Sequence, residues 1–469
     1  MTTHSASQPA YKLLKINADT LTPIGIFQRL QGERKFLLES SFEHDKKGRY
    51  SYIGSDPYEE IIGYAHTTTV INHETGAITE YPKNALTYLQ EHFPKLDLDL
   101  PLPFTGGAIG YIGYDAIRQF EEIGAPLPDD LTMPDMHFMV YKNLIIYEHY
   151  NQTVSLVSIN LDDSDEECLT NRLDTLKAVL HREVDQSTAE VSELQFKSEL
   201  TDDDFKKRVQ LAKDYIDQGD ALQIVLSKRM KSKISGNPLS YYRKLRMANP
   251  SPYMFYIDFI DYVIIGASPE SLIQTNGTQV ITNPIAGTRP RGKTSHDDTI
   301  LKAELLTDQK EVAEHEMLVS LSKDDLRQIC DPGSITVPTY MNVEMYQHVM
   351  HIVSEVHGVL KTDLTSLDAL IASLPAGTVS GSPKVRAMQI INEIEDTKRG
   401  FYGGGIGYIN FNHDLNMALS IRSLIIKDDY AYLQTGAGIV RDSIPEDEFH
   451  ETLHKARSLM EVSDIDFVL

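Results

Sequence analysis

From Met254 to Thr275 the chain reads MFYIDF, YVIIGAS and SLIQT, three apolar runs with only Ile260-Asp261 and Pro269-Glu270 between them. Runs this rich in β-branched and aromatic residues are strands. A two-residue link makes a hairpin, whereas a parallel crossover needs about a dozen residues or more. Consecutive strands here lack intervening helices, so a largely antiparallel sheet fits better than a Rossmann pattern. FLLESS, RYSYIG, FMVYKNLIIYEHY and TVSLVSI upstream are also strand-like, separated by turn clusters. Helical spacing is confined to segments such as 201–220, 308–329, 383–395 and 445–460. The expected class is α+β, with largely antiparallel sheets packed as a sandwich and helices outside.

At 469 residues the chain exceeds one ordinary core. Two associated lobes are expected, 1–190 and 191–469, divided by the polar stretch 161–200. The formal net charge of −24 argues against nucleic acid or an anionic membrane as partner. No apolar run approaches the ~20 residues of a membrane helix. Cys168 and Cys330 form no disulfide framework, and MTTHSASQPAYK carries no signal pattern, so a reducing cytoplasm is expected. One internal echo, GGAIGYIGYD (106–115) and GGGIGYINFN (403–412), suggests two similar halves of one sheet.

Inside the apolar strand of GDALQIVLSKR (219–229), Gln223 is out of place. A buried amide must be satisfied or cost about 1–3 kcal/mol. It is either a core glutamine bonded to backbone or a group facing a ligand. Four other segments offer chemistry. In DQKEVAEHEMLVSLSKDDLRQI (308–329), Glu311 and Glu314 share a helix face with His315, Leu318 and Ile329. Glu311 also has capping-box spacing from Asp308. In PEDEFHETLHKARSLM (445–460), Glu448, Glu451 and Lys455 lie together, although Glu451 and Lys455 also read as a surface i,i+4 pair. Facing each other, these two helices would offer the oxygen ligands of Mg²⁺ rather than a zinc set.

LPAGTVSGSPKVRAMQII (374–391) runs small residues into a helix with Ser382 expected as N-cap and Pro383 first, an anion-binding arrangement to which Lys384 and Arg386 add charge. Its spacing is not that of a nucleotide loop. TGAG (435–438) reads as a second backbone nest for an anion. NPIAGTRPRG (283–292) fixes Arg289 and Arg291 in a rigid loop, and Glu270 and His351 are acid/base candidates, though a loop carboxylate like Glu270 also reads as solvated. Together these point to metal-assisted chemistry on a small polycarboxylate.

LQIVLSKR, GASPES, PIAGTRPRG, KEVAEHEMLV, MHIVSEV, LPAGTVSGSPKVRAM, FYGGGIGYI, SIRSL and GAGIVRDSIPEDEFHET stand in the order and spacing of the chorismate-utilising enzymes, which 200–469 closely resembles. FLLESS and RYSYIG extend the likeness to the large-subunit branch that makes anthranilate. The resemblance implies a two-lobed fold of that type, Mg²⁺ as cofactor, and chorismate and ammonia as substrates. It implies Glu314 and Glu451 as direct metal ligands, with Glu311 and Glu448 acting through water. Arg422, Tyr402, Gly436, Ala437, Gly438 and Lys455 would hold carboxylates, with Gly287 and Thr288 beside them. Thr378 would touch the ring, Glu270 would protonate the departing C4 hydroxyl, and His351 would serve the later elimination of pyruvate.

Relatives that add water at C2 carry a lysine base where Gln223 stands; ammonia brings its own lone pair, so Gln223 implies amine transfer. Aminodeoxychorismate synthases carry lysine where Ala286 stands, which disfavours the 4-amino product. The chain shows no glutaminase pattern, so a separate glutamine amidotransferase subunit is implied, facing the N-terminal lobe. That lobe would also hold L-tryptophan as feedback inhibitor, at Leu38, Glu39, Ser40 and Tyr50 with Asn249, Pro250, Ser251, Pro252, Tyr253 and Met254. The rival readings are aminodeoxychorismate synthase component I, a water-adding synthase, and a non-catalytic tryptophan-sensing subunit.

Overall fold

The computed structural model describes residues 9–40, 48–184, 190–346 and 349–464. The first eight residues, read above for a signal, and Ser41 of FLLESS lie outside them. Two sheets of eleven and twelve strands carry the fold. Every strand pairing among the described residues is antiparallel. The Ile260-Asp261 link makes the expected hairpin, but across Pro269-Glu270 the chain passes to the other sheet, so YVIIGAS and SLIQT do not pair.

Both sheets continue across the sequence boundary near 190. In the first, Tyr11–Asn17, Thr153–Ile159, Asn143–Glu148, Tyr50–Gly54 and Phe36–Glu39 lead into Tyr253–Asp258, Tyr262–Ser268, Ser423–Lys427, Tyr430–Ile439, Gln223–Lys233 and Gly381–Ser382. The seam is Phe36–Glu39 on Tyr253–Asp258, with Glu39 opposite Met254 and Leu38 opposite Phe255. In the second sheet the seam is the sequence echo itself: Gly107–Ile112 pairs with Gly405–Asn410, Gly110 opposite Gly407. Glycine is required there because a Cβ at Gly110 would lie 1.9 Å from the His137 carbonyl oxygen, and one at Gly407 2.0 Å from that of Asn416.

The main core lies between the sheets. Phe36, Phe255, Ile257 and Ile264 of the first pack with Ile61, Ile109, Phe138 and Ile406 of the second, all within 2% of complete burial. Helices cover the outer faces. Asp202–Asp217 has Thr201 as N-cap and buries Phe205, Val209, Ala212 and Ile216, the stripe its spacing predicts. The helices Gln309–Ile329, Lys384–Ile394 and Pro445–Met460 fall where expected.

Some local expectations fail for local reasons. FMVYKNLIIYEHY is two strands, Met136–Tyr141 and Asn143–Glu148, lying apart in different sheets. The strand of Gln223 begins at Gln223, leaving Leu222 67% exposed. Ser382 is no N-cap: it pairs with Gln223 in a short strand, and the helix starts at Lys384 without a side-chain cap. The last helix begins at Pro445 with Ile444 in the cap position, and Ser443 Oγ just before it accepts from Val440 N at 3.0 Å.

Candidate active site

The hairpin Tyr253–Asp258/Tyr262–Ser268 delivers Glu270 just past its end, with Tyr253 opposite Ser268. Glu270 is not a solvated loop carboxylate: it is 8% exposed and accepts one hydrogen bond, from Thr378 Oγ1 at 2.9 Å. Burial pushes its pKa up to about 8, against smaller opposing effects of Thr378 and Lys455. At neutral pH it is a protonated acid poised to donate.

Gln223 is 3% exposed, and its Oε1 has no hydrogen-bond partner among the described residues. A core glutamine bonded to backbone would not look like this. The facing strand Tyr430–Ile439 places Gly438 opposite Val225 and Gly436 opposite Ser227. A Cβ at Gly438 would sit 2.6 Å from Gln223 Nε2, and one at Gly436 2.6 Å from the Tyr402 hydroxyl. Missing side chains thus let the amide and the phenol approach the strand. TGAG is accordingly a stretch of strand rather than the nest expected from sequence. Beyond Leu433 it has no outer strand neighbour, and the Gly436 carbonyl accepts from Lys455 Nζ at 2.9 Å.

His351 lies on Val349–Val359 opposite Thr288. A bulge at Gly287, where φ is +71°, turns the Gly287 carbonyl to His351 Nδ1 at 3.0 Å. With Nδ1 donating, Nε2 carries a free lone pair. Burial lowers this imidazole to about 4, so it is a neutral base. Sequence reasoning missed Tyr346, whose ring meets His351 edge-on at 5.2 Å, and Ser458, which accepts from Arg422 Nη1 at 3.0 Å. Ser458 is one helical turn past Lys455, a spacing that could have flagged it; Tyr346 carried no signal.

The charged groups divide sharply. Arg289 pairs with Asp308 and, at 3.4 Å, with Glu311; Arg291 grips Asp298 at 2.6 Å and the Tyr346 carbonyl at 2.6 Å. Lys384 is held by Asp325 at 2.8 Å, and Arg386 by Asp220 at 3.2 Å and Glu393 at 3.4 Å. These four cations are engaged by the protein's own acids. Arg422 has no carboxylate within ion-pair distance among the described residues, and desolvation lowers its pKa. A half-buried, desolvated guanidinium in that state favours an anionic ligand.

Asp308 caps its helix through Lys310 N and Glu311 N, and the Glu311 side chain turns to Arg289, so the capping-box alternative does not hold. Glu314 has a raised pKa, from burial first and then from Glu311 and Glu451. Glu448, also raised by burial, feels Glu451 as well and leaves Oε2 buried without a partner. Carboxylates of both helices therefore share one field. Lys455 takes Glu451 at 2.6 Å, and no three His, Cys, Asp or Glu side chains among the described residues are gathered as a metal centre. The donor chemistry, hard oxygens in excess over nearby cations, fits a divalent ion such as Mg²⁺.

At the sheet seam, Glu39 is 6% exposed and held by Tyr242 Oη at 2.7 Å and Arg246 Nε at 2.9 Å. The strand pairing joins Leu38 and Glu39 to Met254 and the 249–254 segment beside it. Tyr50 stacks on Tyr52, ring centroids 6.3 Å apart. Both halves of the N-terminal constellation thus meet. No helix of the described residues is long and apolar enough to cross a membrane.

A sequence profile described as chorismate binding enzyme matches residues 34–461. Anthranilate synthase component 1 of Lactococcus lactis is 43% identical over 456 residues, 96% of this chain and 99% of that one. The protein of that name from Acetivibrio thermocellus is 42% identical over 464 residues, 95% and 94% of the two chains. The crystal structure of anthranilate synthase component I from Streptococcus pneumoniae superposes with TM-score 0.82 at 39% identity, covering 95% of this chain and 99% of that one. The menaquinone-specific isochorismate synthase of Escherichia coli shares the fold, with TM-score 0.70 at 18% identity over 97% and 95% of the chains.

Proposed function

The chain belongs to the chorismate-binding enzyme family, and on that premise we propose that it is the large subunit of an anthranilate synthase, joining ammonia to chorismate and releasing anthranilate, pyruvate and water. The observation that carries this is Gln223, whose buried, unpartnered Oε1 can accept a hydrogen bond from ammonia. A water-adding enzyme needs a base there, and an amide is none. Ala286, 9% exposed in the wall near Glu311 and Gly287, offers no amine for a covalent route to the 4-amino isomer.

Arg422 and Lys455 hold the substrate carboxylates, with the Tyr402 hydroxyl and the Gly436–Gly438 backbone against the same side. Glu270 gives its proton to the departing C4 oxygen while nitrogen attacks C2, forming 2-amino-2-deoxyisochorismate. The neutral His351 Nε2 then assists loss of the enolpyruvyl group. Glu314 and Glu451, with Glu311 and Glu448 behind them, are the residues that would hold Mg²⁺, which supplies charge neutralisation for the ring carboxylate. Ammonia comes from a glutamine amidotransferase subunit. L-Tryptophan closes the feedback loop of its own biosynthesis at the seam of Leu38, Glu39 and Ser40 with 249–254, supported by the meeting of both segments there. The setting is cytoplasmic.

The test is fluorescence of product from chorismate, ammonium and Mg²⁺, with chromatography to assign the isomer. Anthranilate, dependent on ammonium and abolished by chelator, is expected. 4-Aminobenzoate, or any aromatic product without ammonium, overturns the reading. Calorimetry with L-tryptophan on active protein tests the seam separately, and absence of heat refutes that part.

A further inference from the structure

A cavity lies beside the active site but is not lined by Gln223, Arg422, Gly436, Gly438 or Lys455. It shares only the wall made by Glu270 and Thr378, and its other polar lining includes Ser271, Thr282, Ser322 and Asp325. Water centres have about 40 Å³ of room there, beyond the ~10–15 Å³ that a single water requires. Thr282 is 7% exposed and its Oγ1 has no hydrogen-bond partner. A hydroxyl buried in that way costs about 1–3 kcal/mol unless water serves it. Asp325, in the cavity lining, accepts from Lys384 at 2.8 Å, and each side chain is 16% exposed, so the pair is not sealed from solvent.

We propose that this cavity is a water-filled proton path that recharges Glu270 between turnovers, with Thr282 as its inner waypoint and the Asp325–Lys384 pair at its mouth. The inference rests on the role of Glu270 given under Proposed function. In each turnover the Glu270 proton goes to the C4 oxygen, the C4–O bond breaks with its electron pair, and water leaves. The nitrogen lone pair forms the C2–N bond, and the resulting aminium passes its extra proton to a second ammonia molecule, which leaves as ammonium. The remaining Glu270 carboxylate takes a proton relayed from solvent through the cavity waters, so charge and protons balance over the cycle.

The other groups around Glu270 are poor sources. Lys455 is held by Glu451 and the Gly436 carbonyl. Burial raises the Tyr402 phenol to about 12 and raises Tyr346 further, and Thr378 is an alcohol. Burial also keeps Glu270 protonated at rest, at about 8. The first turnover therefore needs no recharging, and every later one does.

That asymmetry supplies the test. Rapid mixing of the wild type with chorismate, ammonium and Mg²⁺ first establishes anthranilate formation; if none appears, the assigned function falls and the path with it. Thr282→Val should then give one anthranilate per site at the wild-type rate, followed by steady turnover slowed about tenfold, with an enlarged solvent deuterium effect. Thr282→Ser should restore steady turnover, and Asp325→Asn should slow it without slowing the first event. Steady rates within about twofold of wild type in both Thr282→Val and Asp325→Asn, or a first turnover slowed as much as the later ones, would overturn the proposal.

Discussion

The substitution Glu270→Gln should make the protein nearly inactive and, above neutral pH, more stable. The side chain is 8% exposed and its pKa is raised to about 8 by burial. An acid with that pKa is about nine-tenths protonated at pH 7, whereas an ordinary glutamic acid is protonated about three times in a thousand. The environment thus enriches the proton donor about 300-fold. The same displacement is a folding cost. A folded pKa above the unfolded value means stability is full below the unfolded pKa and is lost as pH rises towards the folded one. Integrated from about 4.5 to pH 7, the loss is about 3 kcal/mol, and near pH 8 about 4–5. For 469 residues this corresponds to roughly 3 °C in Tm at pH 7. The substituted amide keeps the volume, can accept from Thr378, and never ionises. We expect kcat to fall about 10²–10⁴-fold at saturating free ammonia, with little change in KM for chorismate. Calorimetric scans should show the variant melting higher at pH 8 and nearly level with wild type at pH 5. Activity within tenfold of wild type, or a Tm difference that ignores pH, refutes the reasoning.

Glu314→Gln should weaken Mg²⁺ binding at least about tenfold in a calorimetric titration, since it removes a central charge of the set; unchanged affinity places the ion elsewhere. Gln223→Leu removes the acceptor for ammonia, and the KM for ammonium should rise about 5- to 100-fold while chorismate affinity is kept, the worth of one buried hydrogen bond. Arg246→Ala leaves Glu39 with the hydroxyls of Tyr242 and Ser51 and no cation, costing about 2–3 kcal/mol in denaturant unfolding, less than for a fully buried pair because Arg246 is 36% exposed.

The antiparallel pairing could be inferred from strands that follow one another without helices between them; that Pro269-Glu270 carries the chain from one sheet into the other could not. The candidate side chains were legible where chemistry dictates residue type: a glutamine in an apolar strand, paired glutamates on an apolar helix face, small residues where another group comes close. The cations were not legible in the same way. Arg289, Arg291, Lys384 and Arg386 read only as basic groups available to an anion, with the roles of Lys384 and Arg386 open, and each has an acid of the same protein within reach, at sequence separations of 7 to 166. Such pairings are set by packing between distant elements. Spacing also misled at TGAG, where loop-like residues lie within a strand because the neighbouring strand Gln223–Lys233 supplies the ladder.

The shared sheets also bear on how the chain is made. Until residues 253–258 and 405–410 emerge, Phe36–Glu39 and Gly107–Ile112 each lack a neighbour on one side. The N-terminal half must then present two open, apolar sheet margins to everything around it while more than half of the polypeptide is still to be synthesised. Lesions that slow translation or weaken the later strands would therefore show up as insoluble protein before they show up as slow enzyme.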